Sequence, residues 1–448
     1  MKKWISALLA MTLLLAACGI AGAETEARKI ETAADADEWA AAFFGEHPEE
    51  LDEAWAMTEE LRAAIAGMGG MKGMAASLLA QLGTPEETEP AHEGELQGYK
   101  AFYIPCAFSV MPLDLVLTVQ DGAIAGLSTG GYSGAREETA ESDVFDSIDL
   151  NLPVPGLGEL PGILTVPKGD GPFPAVVLIH GSGSSDRDET VGSLKPFRDL
   201  AEGLAEKGIA VYRFDKRSYV FGTVMMANRE LTLYDESIED AVNAVQLLAK
   251  QDRIDSARIF VLGHSLGGNA VPAIARELKK AETGACGFVM MAASPRPLDV
   301  LMREQYDFLY SLMPEVTPEK QAEKDGIFAE LDKLQDLDAL TEEDMVLGVY
   351  ASYWKWLAAY DILQAAEEID RPVLLLQGEE DYQVTMEDFG IWQEKLGKKE
   401  NWTMISYPGL VHCFVQGLKT EGSEAYMRDG RVDAQVIADI AAFIHAAR

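Results

Sequence analysis

The residues best placed to do chemistry lie in Gly263-His264-Ser265-Leu266-Gly267-Gly268. A serine hydroxyl acts as a nucleophile when it is exposed and a base can take its proton. The G-x-S-x-G pattern meets the first condition where a strand turns sharply into a helix. That turn pushes Ser265 into a strained, exposed position, and the flanking glycines leave room for it. Here the apolar run Ile259–Leu262 precedes the motif and a helical pattern, Leu266–Leu278, follows it. The start of that helix offers N–H donors and positive potential where an oxyanion would form.

The base must come from six histidines. His47 and His92 fall in an N-terminal region, His180 ends a strand, and His264 is the variable residue of the motif itself. His445 sits in a terminal helix whose core face is Val436, Ile437, Ile440, Phe443 and Ile444. His412 follows the strand Trp402–Tyr407 on a loop that can return an imidazole over the sheet's carboxyl edge, and it is the expected base. The acid that orients it should fall between serine and histidine, just past a strand. Strand Pro372–Gln377 runs into Gly378-Glu379-Glu380-Asp381. Asp381 is preferred, with Glu379 and Glu380 expected to be solvated.

A second oxyanion donor is expected from His180-Gly181-Ser182-Gly183, with the N–H groups of Ser182 and Leu266 forming the hole. The adjoining Ser184–Glu189 stretch reads as a salt-bridged loop. The spacing holds no HExxH or other clustered ligand set, so neither a metal nor a cofactor is implied.

The elements around these residues alternate. Ala175–His180, Ile209–Phe214, Ile259–Leu262, Gly287–Ala292, Pro372–Gln377 and Trp402–Tyr407 read as strands. The helices are Pro196–Lys207, Glu236–Ala249, Leu266–Leu278, Met386–Leu396 and Asp433–Ala447. Strands apolar on both faces, separated by amphipathic helices, indicate an α/β fold with a mostly parallel sheet covered on both sides. Between Arg296 and Asp370 the pattern is helix and loop without a strand, as in a helical cap inserted between two strands. Ahead of this lies a small α+β domain, helical from Glu38 to Leu82 and then stranded at Tyr99–Val110, Leu113–Gln120 and Ala123–Ser128. Asp121-Gly122 reads as a hairpin turn, and Ala66–Gly73 as an inter-helix loop.

The chain has 448 residues, 37 Lys+Arg against 74 Asp+Glu, and a net charge of −37. That acidity excludes nucleic acid as a partner and disfavours anionic lipid, so membrane attachment would need an anchor. Lys2 and Lys3 precede an uncharged run, Trp4–Ala17, which suits a signal peptide. Leu15-Ala16-Ala17-Cys18-Gly19 resembles the bacterial lipobox, with Cys18 lipidated. Ala21-Gly22-Ala23 offers an alternative cleavage site that would release a soluble protein. Both readings place the protein outside the cytoplasm. The other cysteines, Cys106, Cys286 and Cys413, are read as buried small hydrophobes. The expected organisation is signal peptide 1–17, tether 18–36, α+β domain 37–130, linker 131–142 and α/β domain 143–448, with its cap at about 296–370.

Phe173–Gly183, Asp186–Thr190, Lys195–Ala201, Arg213–Arg217, the Ser265 motif and Leu374–Val384 together resemble the α/β-hydrolases. The branch is that of the dienelactone hydrolases and serine-aminopeptidase-like enzymes. The residue before the acid, often Arg in that branch, is Glu380. Residues of about 35 to 130 resemble the small, NTF2-like domain that precedes such hydrolases in exported bacterial proteins. The resemblance implies an exported serine carboxylesterase acting on a small-molecule ester. A peptidase, amidase or thioesterase on the same triad is the alternative. A non-catalytic binding protein would require a broken triad, and all three members stand in order. Tyr350, Tyr353, Trp354 and Trp356 belong to an aromatic-rich stretch of the cap. They are read either as lining for aryl or apolar acyl groups or as packing within the cap.

Overall fold

The computed structural model describes residues 27–96, 98–108, 112–134 and 142–447. The signal peptide, Cys18, the cleavage site at Ala23 and most of the linker lie outside them. The chain divides into two compact units. The first holds the described residues before 139 together with Tyr219–Asn228, and the second holds those of 139–218 and 229–447.

In the first unit, helices α1 (Ala33–Phe43), α2 (Glu59–Ala66) and α3 (Gly70–Leu82) precede an antiparallel sheet. Its strands are β1 (Pro85–Thr88), β2 (His92–Leu96), β3 (Tyr99–Phe108), β4 (Pro112–Gln120) and β5 (Ala123–Gly130). Asp121 and Gly122 both take positive φ, 52° and 82°, so the β4–β5 hairpin closes as a type I′ turn. Trp39, Phe43, Phe102, Ile104 and Leu117 are buried together between helices and sheet.

Four expectations that touch this unit need correction. The tether does not run to residue 36, because Ile30 is buried and Thr32 caps α1 in a reciprocal box with Asp35. The glycine-rich loop is shorter than expected, since α3 begins inside it. Gly69 and Gly70 turn the chain at φ 89° and 68°, and Asp52 Oδ1 accepts the Met71 N–H at 3.1 Å. A β-carbon on Gly73 would sit 1.7 Å from the Met68 carbonyl, so only glycine fits that crossing. The expected linker starts late, because Ser133 N donates to Asp114 Oδ1 at 2.9 Å and holds residues 131–134 to the sheet. Tyr219–Asn228, expected in the second domain, belongs to this unit, where Tyr219 Oη donates to the Pro112 carbonyl at 2.7 Å.

The second unit is built on an eight-stranded sheet. In chain order its strands are β6 (Phe145–Asp149), β7 (Gly162–Pro167), β8 (Phe173–Ile179), β9 (Ala210–Phe214), β10 (Ile254–His264), β11 (Gly287–Met291), β12 (Val373–Gly378) and β13 (Trp402–Tyr407). Their spatial order is β13-β12-β11-β10-β8-β9-β7-β6. The six strands from β13 to β9 run parallel, while β7 and β6 pair antiparallel at one edge. Val, Leu, Ile and Phe fill β8, β10, β11 and β12, and both faces are buried, as a sheet layered between helices requires. Helices α4 (Pro196–Ala205), α5 (Glu239–Leu248), α6 (Leu266–Lys280), α10 (Met386–Leu396) and α11 (Ala434–Ala446) accompany it. A π-turn, Tyr234–Ile238, leads into α5.

The insertion between β11 and β12 carries α7 (Leu298–Ser311), α8 (Pro318–Asp332) and α9 (Ala351–Ala359). It also contains a short hairpin, Met345–Val346 with Val349–Tyr350, so the expectation of no strand there fails. Two residues on each side are too few to show a period of two in the sequence.

Candidate active site

Ser265 occupies a position few side chains tolerate. Its φ and ψ are 55° and −121°, outside the regions open to ordinary L-residues. The Ser265 N–H donates to the Met291 carbonyl of β11 at 2.8 Å, and α6 starts directly after it. The surrounding glycines are steric necessities. A β-carbon on Gly263 would stand 2.2 Å from the Gly267 carbonyl oxygen, and one on Gly267 would stand 2.2 Å from that of Ile179. Ser265 is half-exposed while its neighbours are buried. Such strain accumulates where a side chain must be presented.

His412 and Asp381 meet at the carboxyl ends of β13 and β12, where His412 Nδ1 lies 2.7 Å from Asp381 Oδ2. Both residues are buried. Asp381 Oδ1 accepts the N–H groups of Gln383 (2.7 Å) and Val384 (3.1 Å), and Gln377 Nε2 donates to Oδ2 at 3.2 Å. A carboxylate so supplied with donors acts as an acceptor. His412 Nδ1 therefore carries the proton and Nε2 is left as the basic nitrogen. The loops are stitched together, because Glu379 N–H donates to Tyr407 O and Glu380 N–H to Leu410 O. Glu379 is exposed and accepts from Ser406 Oγ, and half-buried Glu380 accepts from the Lys419 N–H. Burial thus separates Asp381 from its two neighbours.

The loop after β8 brings Ser182 out to solvent beside a buried Gly181. A β-carbon on Gly181 would lie 3.1 Å from Ser265 Cβ, which places this loop against the serine. Leu266 is the first residue of α6, whose opening intrahelical bond runs from Asn269 N to Ser265 O, so the Leu266 N–H has no partner within the helix.

The sequence reading missed a second histidine–carboxylate pair. His264 Nδ1 lies 2.9 Å from Glu189 Oε2, and both groups are buried. Glu189 Oε1 accepts the Gly181 N–H at 2.7 Å. His264 Nε2 reaches the His412 carbonyl at 3.0 Å, and the two imidazole rings lie 4.7 Å apart. Burial disfavours charge on His264, but the Glu189 carboxylate outweighs it and raises the pKa above the usual histidine range. In the sequence Glu189 reads as part of a salt-bridged loop and His264 as the variable residue of the motif. The only hint in the sequence was an acid shortly after the His-Gly-Ser-Gly turn. The rest of that loop does form ion pairs, Arg187 with Asp215 and Arg213 with Asp188.

The remaining histidines are placed elsewhere. His180 is buried under the loop, donates from Nε2 to the Asp186 carbonyl at 2.9 Å, and is pushed down to about 4 by burial. His445 is exposed and bonds the Lys207 carbonyl. His47 and His92 belong to the first unit. Cys106 and Cys413 are buried free thiols, while Cys286 is only half-buried.

The cap aromatics divide. Trp354 is buried with Met302, Leu331 and Val346, and its Nε1 donates to the Val346 carbonyl at 3.2 Å. Tyr353 is buried with its hydroxyl 2.5 Å from Glu236 Oε2. For these two, burial favours packing and anchoring over the lining of an acyl pocket. Half-buried Trp356 packs on Tyr360, whose hydroxyl contacts Asn269 O and Ala273 N of α6. Tyr350 is half-buried at the hairpin's end.

A six-stranded parallel run extended by antiparallel edge strands, with a serine in a strained turn from strand to helix, is the architecture of an α/β-hydrolase. Residues 171–417, more than half of the chain, match the family described as Serine aminopeptidase, S33, and the chain belongs to that hydrolase family. It is 37% identical over 330 residues to Esterase EstD of Thermotoga maritima, covering 73% of this chain and 75% of that protein. Esterase FrsA of Klebsiella pneumoniae is 28% identical over 136 residues, 30% of each chain. Among solved structures, the Pyrococcus furiosus esterase Pf2001 aligns with a TM-score of 0.45 at 17% identity, covering 68% of this chain and 92% of that one.

Proposed function

We propose that the protein is a serine carboxylesterase. The observation that carries this reading is the 2.7 Å contact of His412 with Asp381 on the loops following β13 and β12, beside an elbow that strains Ser265. The likeness to Esterase EstD supports ester chemistry. Ser265 Oγ attacks the ester carbonyl carbon while His412 Nε2 takes its proton. The carbonyl π electrons move onto oxygen, where the N–H groups of Ser182 and Leu266 meet them. Collapse breaks the bond to the alkoxy oxygen, which leaves with the proton from His412. Water then repeats the sequence on the acyl-enzyme and frees Ser265. Asp381 keeps Nδ1 protonated and stabilises the imidazolium.

The family description, Serine aminopeptidase, favours an amide-cleaving second reading on the same residues. Matched p-nitrophenyl esters and aminoacyl amides separate the two. The carboxylesterase reading expects kcat/KM for the best ester to exceed that for the best amide by several orders of magnitude, and the reverse order overturns it. The reading also includes export as a lipoprotein anchored at Cys18, with the first unit as an NTF2-like domain. Metabolic labelling with a palmitate analogue, lost in Cys18→Ala, tests the anchor. Release of unlabelled protein cleaved after Ala23 would contradict it.

A further inference from the structure

Behind the Gly181–Gly183 loop lies a buried cation that the sequence reading left without a role. Lys216 follows β9 and is 2% exposed. Its ammonium has three hydrogens and meets three acceptors: Gly181 O at 2.8 Å, Gly183 O at 2.9 Å and Glu236 Oε1 at 2.9 Å. Glu236 sits in the π-turn ahead of α5, and its other oxygen, Oε2, accepts from Tyr353 Oη of the cap helix α9. Burial, reinforced by Glu236, pushes the Tyr353 phenol well up, so it remains a donor. A charge this deep is tolerated when it is paired and its hydrogens are used, and both conditions hold here.

Peptide planarity gives these contacts their consequence. In a trans peptide the C=O and the following N–H point in opposite directions. Holding the Gly181 carbonyl on Lys216 therefore aims the Ser182 N–H away from the ammonium, on the loop's other side. The Gly181 N–H is tied down separately by Glu189. The Ser182 peptide cannot rotate without breaking a bond to a buried charge. The cation at its carbonyl also polarises that same peptide, making its N–H a stronger donor.

We propose that Lys216 is a positioning residue for the oxyanion hole, and that Glu236 and Tyr353 carry its placement to the cap helix. This inference rests on the esterase reading above. It assigns no contact with substrate to any of the three. Their effect reaches the reaction through the direction and strength of the Ser182 donor. Such a donor acts on the tetrahedral state more than on the bound ester, so it is felt in kcat.

The test is the double variant Lys216→Met/Glu236→Gln, which removes both charges together, assayed with p-nitrophenyl butyrate and with an alkyl boronic acid that forms a tetrahedral adduct on serine. With one oxyanion donor misdirected, kcat is expected to fall by about 100-fold while KM changes by less than about 2-fold. Boronate affinity should fall with kcat. Tyr353→Phe, which releases only the far end of the chain, is expected to lower kcat by about 3- to 10-fold. Wild-type kcat and boronate affinity in the folded double variant overturn the proposal. If that variant does not fold, the isosteric Glu236→Gln decides: a drop in kcat at constant KM supports it, and unchanged kcat overturns it. The esterase reading fails separately, if the wild-type protein neither turns over esters nor is labelled at Ser265 by a fluorophosphonate.

Discussion

His264 is held from both sides, by Glu189 Oε2 at 2.9 Å from Nδ1 and by the His412 carbonyl at 3.0 Å from Nε2. A carbonyl only accepts, so Nε2 carries a hydrogen. The Glu189 carboxylate opposite Nδ1 favours charge on the ring and raises its pKa against the effect of burial. Through Glu189 the same pair grips the Gly181 N–H. One buried ion pair thus ties together the elbow, the glycine loop and the loop of the base. Glu189→Gln removes the carboxylate that favours charge on His264 and grips the Gly181 N–H, and it is expected to cost about 3–5 kcal/mol of stability, read by urea denaturation. A loss below about 1 kcal/mol would show that the pair is not a clamp.

The same pair gives stability a pH dependence. Burial opposes charge on both partners, yet their mutual attraction wins, so His264 is raised and Glu189 is lowered. A raised histidine contributes fully below its unfolded value of ~6.5 and loses the contribution as pH rises through the folded value. A lowered glutamate contributes fully above ~4.3 and loses it as pH falls through the folded value. The Tm difference between wild type and Glu189→Gln/His264→Gln is expected to be widest between ~4.3 and ~6.5 and to narrow toward pH 9. A difference that is flat or widening over that range contradicts the pairing. His180, pushed down to about 4 by burial, works in the opposite sense; Glu189 partly opposes that shift, so the two proteins differ in the His180 contribution only near and below pH ~4, outside the window compared.

Asp381 holds His412 by accepting its Nδ1 proton. Asn would offer an N–H or a weaker acceptor and let the ring take the wrong tautomer. Asp381→Asn is expected to lower kcat by roughly 10⁴-fold, the scale seen when a triad aspartate is so replaced. Glu379→Gln and Glu380→Gln, on exposed and half-exposed side chains, should stay within about 2-fold. A reversal of that order, measured with p-nitrophenyl butyrate, would move the acid to a neighbour.

Trp354 packs inside the cap, so its effect should fall on stability and not on substrate choice. Trp354→Ala is expected to destabilise by about 3–5 kcal/mol. The relative rates on acetyl, butyryl and octanoyl esters should keep their order. A changed chain-length preference in a variant of unchanged Tm would return Trp354 to the acyl pocket.

The parallel strands and their helices were legible because each is a continuous apolar run or a clear helical period. Met386–Leu396 and Trp402–Tyr407 came out residue for residue. The edge strands β6 and β7 were not seen. β6, Phe145–Asp149, is mostly polar, and β7, Gly162–Pro167, is a short run with no helix beside it to frame it. The serine, histidine and aspartate stood out through order and position relative to strands. Glu189, His264 and Lys216 did not, because their parts depend on contacts between segments far apart in the chain. A lysine after a strand says nothing until two carbonyls are seen on its ammonium. Trp354 and Tyr353 left two readings open in sequence, and burial favours packing.

The central claim is that Ser265 is the nucleophile, and intact-mass measurement after reaction with a fluorophosphonate tests it most directly. The wild-type protein is expected to gain one phosphonyl group, mapped by peptide sequencing to Ser265, and to lose its esterase activity in proportion. Ser265→Ala, with circular dichroism and Tm unchanged, should gain none and turn over no ester. Full labelling or full turnover in that folded variant would contradict the account.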